Sequence, residues 1–294
     1  MTTQKKIKLL IFFLLFIIIS PIIVFYASGD IFSDGWSILK TGGIYVSSAP
    51  VGSEVYLNNK FEDKVSFFKR NILIKNLMAG SYEIKVIKTG YNDWYKKIIV
   101  DTNFVADANV FMLSKNIENR EISKYIFDIS SGSTSSIKIK NPEYADTVAL
   151  FNATTTKLSK ALSIIGVDLK NNLGTAKSPI MSGRLGLWKE KEKIFVKWFG
   201  DNDNAPKYLC DNSLDCTKTK LVIELPIEPT EINFLLGYDG VILISVQGTI
   251  FAMQIDDNAD KIKQIIYEGK DPKFILSAGS LYIKDGDTIS EVIL

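Results

Sequence analysis

The sequence predicts a mainly β protein: an N-terminal transmembrane helix, a small β-sandwich, then a longer β-rich region that is propeller-like or an incomplete propeller. Three observations carry that reading. Leu9–Tyr26 is an apolar run interrupted only by Ser20 and Pro21. From Gly43 to Leu113, short β-branched and aromatic runs alternate with turn signals. From Arg184 onward an aliphatic–aromatic–aliphatic strand core recurs, twice just after a turn glycine. The 294 residues therefore divide into a cytoplasmic stub and anchor over 1–29, a first β domain over 43–113 and a second β region over 117–294.

The apolar run comes first. As a helix, its 18 residues reach ~27 Å, close to the ~30 Å hydrocarbon core of a bilayer. Lys5, Lys6 and Lys8 precede it, and Asp30 and Asp34 are the first charges after it. The positive-inside rule then predicts a single-pass membrane protein with its N-terminus in the cytoplasm and its C-terminal part extracytoplasmic. The alternative is a cleaved signal peptide, for which Ala27-Ser28-Gly29 is a tolerable small-residue site. Either outcome exports the rest of the chain and gives its two cysteines a meaning. Cys210 and Cys216 enclose Asp-Asn-Ser-Leu-Asp, a polar loop short enough to be closed by a disulfide adding about 2 kcal/mol in an oxidising compartment.

The first β domain reads as a strand series. Tyr82, Ile84 and Val86 alternate with Glu83 and Lys85, which gives one apolar and one polar face. Ile44-Tyr45-Val46, Val55-Tyr56-Leu57, Ile98-Ile99-Val100 and Val110-Phe111-Met112 are further strand candidates. Turn signals at Pro50-Val51-Gly52, Asn58-Asn59, Ala79-Gly80 and Thr89-Gly90 separate them. Gly80 and Gly90 are expected at positive φ in hairpin turns. Tyr91 and Trp94, just after the second of these, are candidate ligand-stacking aromatics; the alternative is that they cap a small core.

Three ordered segments of this domain also resemble a known family. Ser48-Ala49-Pro50-Val51-Gly52-Ser53, followed by Val55-Tyr56-Leu57-Asn58-Asn59, resembles the opening motif of the PEGA domain, with Ser53 where that motif has alanine. Leu77-Met78-Ala79-Gly80-Ser81-Tyr82 is similar to its central leucine, turn glycine and tyrosine, and Lys88-Thr89-Gly90-Tyr91-Asn92-Asp93-Trp94 to its Gly-Tyr turn and following aromatic. The Gly-Thr-Thr-Pro turn usual in the family's middle is absent; Lys64-Val65-Ser66-Phe67 stands there. The resemblance implies a noncatalytic binding or spacer module of the kind found on cell-surface and envelope proteins. The order of anchor, PEGA-like module and β-rich segment resembles a class of bacterial envelope proteins.

In the second region, Ser130–Ser136 reads as a flexible loop and Thr156–Gly166 as a short helix, with Leu158, Leu162 and Ile165 on one side. Strands are expected at Leu185–Trp188, Lys220–Leu225, Val241–Val246 and Gln264–Tyr267. The recurring core is Lys193-Ile194-Phe195-Val196, Thr249-Ile250-Phe251-Ala252 and Ser280-Leu281-Tyr282-Ile283, with Gly248 and Gly279 just before the last two. Hairpins of this form suggest propeller blades, and 117–294 supplies 178 residues for the ~160–180 that a ring of about four blades needs. The alternative is a plain β-sandwich.

Composition and charge exclude several function classes. The chain has no histidine, two cysteines and a net charge of +2. Histidine-dependent triads and the usual zinc sites are thus impossible, and no basic excess marks a nucleic-acid binder. Asp256-Asp257-Asn258-Ala259-Asp260 has acidic spacing but lacks the glycine and glutamate of a calcium loop. Asp201-Asn202-Asp203-Asn204 reads as a polar turn and Asp285-Gly286-Asp287 as a type I′ hairpin. Lys189-Glu190-Lys191-Glu192-Lys193 reads as a solvated turn, and Gly42-Gly43 and Gly183-Arg184-Leu185-Gly186 lack the pattern of a phosphate loop. No catalytic, cofactor or metal residue is assigned. The expected function is noncatalytic binding of cell-wall polysaccharide or a surface protein. The alternative is an envelope glycan hydrolase working through carboxylates alone.

Overall fold

A computed structural model describes residues 3–28, 31–32, 38–128, 137–162, 179–210, 216, 218–255 and 263–294. The chain divides into two compact units, Met1–Met112 and Leu113–Leu294.

The first unit begins with helix α1 (Thr3–Ser28), which contains Pro21. Among the described residues no helix is long and apolar enough to cross a membrane. That corrects the expected single-pass anchor and the orientation that went with it. The physical reason is the length of uninterrupted apolar chain. Leu9–Ile19, the part of α1 that is apolar without interruption, is exposed and about 16 Å long, shorter than the ~30 Å of a hydrocarbon core, although the helix itself continues past Ser20 and Pro21 to Ser28.

Strands β1 (Ile31–Phe32) and β2 (Ile38–Leu39) pair with each other. The next seven strands are β3 (Gly42–Ser47), β4 (Glu54–Leu57), β5 (Lys60–Lys64), β6 (Ile72–Leu77), β7 (Gly80–Ile87), β8 (Trp94–Val100) and β9 (Val105–Asn109). They form two sheets, β6-β3-β9 and β5-β4-β7-β8, the β3–β9 pair being parallel. Both sheets contribute apolar side chains to one core: Ile44, Val46, Ile72, Ile74 and Ala108 from the first, and Val55, Leu57, Ile84, Val86, Trp94, Ile98 and Val100 from the second. The period-2 alternation holds along β7, where Ile84 and Val86 are buried and Glu83 is exposed; Tyr82, nearer its start, is half-buried. Asn58 and Asn59 have φ of 48° and 65° between Leu57 and Lys60, the two positive values of a type I′ turn. Gly90 has the expected positive φ, 83°, whereas Gly80 lies within β7 and the positive φ near it belongs to Asn76. Val110-Phe111-Met112 is buried but forms no strand, and Val110 donates to the Ser47 carbonyl at 2.9 Å.

The second unit opens with β10 (Glu118–Glu121) and the hairpin of β11 (Tyr125–Asp128) and β12 (Ile137–Lys140). Helix α2 spans Pro142–Leu162, so it starts well before the expected Thr156. Asn141 caps it, its Oδ1 accepting the Glu143 N–H at 3.0 Å, and Pro142 sits at the first helical position. Ser130–Ser136 and the end of the expected helix, 163–166, lie outside the described residues. The remaining strands are β13 (Ile180–Ser182), β14 (Leu185–Glu190), β15 (Lys193–Trp198), β16 (Lys220–Glu224), β17 (Glu231–Phe234), β18 (Val241–Val246), β19 (Thr249–Gln254), β20 (Gln264–Glu268), β21 (Lys273–Ser277), β22 (Ser280–Asp285) and β23 (Thr288–Ile293).

These strands build three four-stranded antiparallel sheets: β13-β14-β15-β16, β17-β18-β19-β20 and β21-β22-β23-β10. In the third, Glu118–Glu121 runs against Ile293–Ser290, so strands from the two ends of the unit are hydrogen-bonded together. The described residues show no closed propeller. The first two sheets repeat in detail: each follows Pro179 or Pro229 closely, and each has a register shift at the Ile-Phe pair of its third strand, Ile194/Phe195 and Ile250/Phe251. The third recurrence is placed differently. Ser280–Ile283 lies on the second strand of its sheet, not the third. Leu187, Ile194, Val196, Phe234, Ile242, Ile244, Phe251 and Met253 belong to one buried cluster built from the first two sheets. Gly248, at φ 78° in the β18–β19 turn, has a steric role as well: an added Cβ would come within 2.3 Å of the Gly269 carbonyl oxygen. That carbonyl is held close because the Gly269 N–H donates to Gly248 at 2.7 Å.

Candidate functional site

The two aromatics singled out in the first module have different surroundings. Trp94 opens β8 opposite Val86 and is 2% exposed. Its ring is part of the sandwich core, which corrects its assignment as a stacking surface and agrees with the core-capping alternative. Tyr91 is half-buried, its N–H donates to the Lys88 carbonyl at 3.1 Å, and the Lys88 Nζ stands 4.0 Å over its ring. The structure does not join Tyr91 and Trp94 into one ligand surface.

The outward side of the β5-β4-β7-β8 sheet carries the aromatic surface instead. Register places Phe61 opposite Tyr56, Tyr56 opposite Lys85 and Lys85 opposite Tyr95, one residue from each of the four strands. All four point away from the core because Val55, Leu57, Ile84, Val86, Trp94 and Ile98, their period-2 neighbours, point into it. Phe61 is 52% and Tyr95 44% exposed. Tyr56 meets Phe61 edge to face at 5.7 Å, and its hydroxyl donates to Glu54 Oε2 at 2.9 Å. That bond to a carboxylate raises the Tyr56 pKa. Sequence reading found Tyr56 only as a strand residue, and β5, whose Lys-Phe-Glu-Asp-Lys has the composition of a solvated edge, carries no local strand signal.

In the second unit Cys210 and Cys216 form a disulfide with Cα atoms 4.2 Å apart. The Cys216 N–H donates to Asn202 Oδ1 at 2.9 Å, which gives the Asp201–Asn204 turn a structural task. Tyr208, close by, has its hydroxyl pKa pushed up to about 12 by burial, with Asp239 adding to the effect. Asp256–Asp260 lies outside the described residues.

The carboxylates with displaced pKa values hold backbone or arginine partners. Asp285 accepts the N–H groups of Lys270 at 3.0 Å and Asp271 at 3.1 Å; these hold its pKa below the usual range. Gly286 after it has φ 61° and Asp287 has no positive φ, so the Asp-Gly-Asp turn is of the II′ kind rather than I′. Glu291 is lowered by its hydrogen bonds to Ser280 and Arg120, and Arg120 also pairs with Glu143 of α2. Glu231 is the one shifted upward among the described carboxylates: burial raises it although Oε2 accepts the Phe274 N–H at 2.8 Å. Among the described residues no group of three potential ligands is placed to hold a metal ion.

With this geometry in view, comparison with known families decides the character of the first module. Residues 41–113 match the PEGA domain. The match spans β3 to β9 and runs to Leu113, so the PEGA module is the two-sheet sandwich, including the sheet that bears Phe61, Tyr56, Lys85 and Tyr95. No curated protein matches the chain.

Proposed function

We propose that the chain is a noncatalytic bacterial cell-envelope protein whose β modules bind a cell-wall polymer or a surface protein. The observation behind this reading is the PEGA match over 41–113, joined to an outward sheet face that displays aromatic side chains. The Cys210–Cys216 disulfide supports a location where thiols are oxidised. Asp285, Glu143 and Glu291 support a structural use of carboxylates, since each is engaged by backbone N–H groups or by Arg120. An incomplete propeller is the finer reading of the second unit, supported by its repeated four-stranded meanders and by the pairing of β10 with β23.

The rival reading is a glycan hydrolase that works through carboxylates, and one observation favours it. Glu231 has the raised pKa that a general acid needs. A pull-down separates the two. Immobilised chain should retain cell-wall polysaccharide or a defined surface protein from purified envelopes, identified by glycan analysis and mass spectrometry. Recovery of shortened glycans in place of retained ones, absent with Glu231→Gln, would establish the hydrolase.

A further inference from the structure

We propose that the outward face of the β5-β4-β7-β8 sheet is a glycan platform on which Phe61, Tyr56, Lys85 and Tyr95 bind a neutral, extended polysaccharide running across the strands. This rests on the polymer-binding reading above and names its site and its ligand class.

The register fixes the spacing. Neighbouring strands lie ~4.8 Å apart, so Tyr56 and Tyr95 are about 10 Å apart along the row and Phe61 and Tyr95 about 14 Å. An oligosaccharide segment of a few rings covers that span. Phe61 and Tyr95, at 52% and 44% exposed, offer apolar ring surface to solvent at the two ends. Tyr56 braces Phe61 from the side at 5.7 Å and is itself fixed by Glu54, so the platform is held before any ligand arrives. Lys85, between the aromatic positions, supplies N–H donors. A pyranose ring presents apolar C–H faces and polar hydroxyl edges, and this row offers groups that match both, the aromatic rings and the Lys85 ammonium.

Charge selects the class of glycan. Lys85 Nζ has Asp93 Oδ2 at 3.6 Å, and Lys64 Nζ has Glu54 Oε1 at 3.4 Å. Lys97, the next outward residue after Tyr95, stands opposite Glu83 in register, so the lysines on this face are interspersed with carboxylates. Charges mixed in this way give a uronate polymer or a nucleic acid no uniformly positive surface to bind. Carboxylates and ammonium groups side by side suit an uncharged ligand rich in hydroxyls, which both donates and accepts hydrogen bonds.

The test is affinity electrophoresis of the full-length chain in native gels. Hydroxyethylcellulose, dextran and mannan serve as neutral polymers and polygalacturonate as the polyanion. The account expects retardation by at least one neutral polymer. Phe61→Ala and Tyr95→Ala, tested singly, should each weaken it, and together by roughly tenfold or more, with the melting temperature unchanged. Because the two residues lie on different strands, a folding defect in one variant leaves the other to decide. Retardation that survives both substitutions would overturn the platform while leaving polymer binding in place. Retardation by polygalacturonate alone would overturn the ligand class. Failure of all four polymers would overturn the platform together with the polymer half of the functional reading, leaving a surface protein as partner.

Discussion

Truncating Trp94 separates a core tryptophan from a ligand-stacking one. Its side chain is 2% exposed between the two sheets of the PEGA module. A buried tryptophan removes about 200–250 Å² from water, which at ~25 cal/mol/Å² is about 5–6 kcal/mol as an upper bound. Alanine keeps part of that burial and the walls relax, so Trp94→Ala should cost about 4 kcal/mol, within the range for large aromatic truncations. A module of this size has about 5 kcal/mol to lose, and at ~4–8 °C per kcal/mol its transition should fall by at least about 15 °C. Differential scanning calorimetry of the full chain reads this, with Tyr91→Ala as the control. Tyr91 is half-buried beneath Lys88 and should cost about 1 kcal/mol or less. A Trp94→Ala protein that melts unchanged, or one harmed less than Tyr91→Ala, would refute the packing argument.

Three further outcomes are expected. Ala278 has φ 49° in the β21–β22 turn, and a left-handed L-residue costs about 1 kcal/mol that asparagine largely avoids; Ala278→Asn should raise the urea midpoint, and a lowered midpoint would contradict the turn. Cys216→Ser, or reduction of the wild type, opens a seven-residue loop and should lower stability by about 2 kcal/mol; alkylation mass spectrometry of the untreated protein should find both thiols blocked. Glu231 has its pKa raised by burial in the folded state, so the folded protein holds this proton more tightly than the unfolded chain. The resulting stability is fully present below the ordinary glutamate pKa and is lost as pH rises through the raised one. Urea titrations across that window should show the wild type weakening with rising pH and Glu231→Gln weakening less; parallel curves would remove Glu231 as the cause.

Local signals made the central strands of both units legible. Ile84 and Val86 alternate with charged residues, and Val241–Val246 and Gln264–Glu268 emerge as strands because β-branched runs end at Gly or polar turns. What escaped were features fixed by distant partners. Strand β5 is polar and exposed, and it is a strand only because Glu54–Leu57 pairs with it. The pairing of β10 with β23 joins residues 118 and 293, and nothing local in Glu-Asn-Arg-Glu announces it. Similar strand sequences also hid different roles: Ile194-Phe195 and Ile250-Phe251 lie on third strands, Leu281-Tyr282 on a second one. The aromatic row is set by three strand registers at once, which no local pattern encodes, whereas Tyr91 and Trp94 lie beside a turn that the sequence marks. The start of α2 is local by contrast, since Asn141-Pro142, an N-cap followed by proline, is a helix-opening pair.

The central claim is binding without chemistry, and a turnover measurement tests it most directly. The full chain is incubated with purified cell envelopes, and the bound fraction and new reducing ends are followed together over hours. The account predicts saturable co-sedimentation, or capture of a surface protein from the same preparation, with reducing ends staying at the level of a protein-free control. Reducing ends that grow in many-fold excess over the protein, and stop growing with Glu231→Gln, would contradict it.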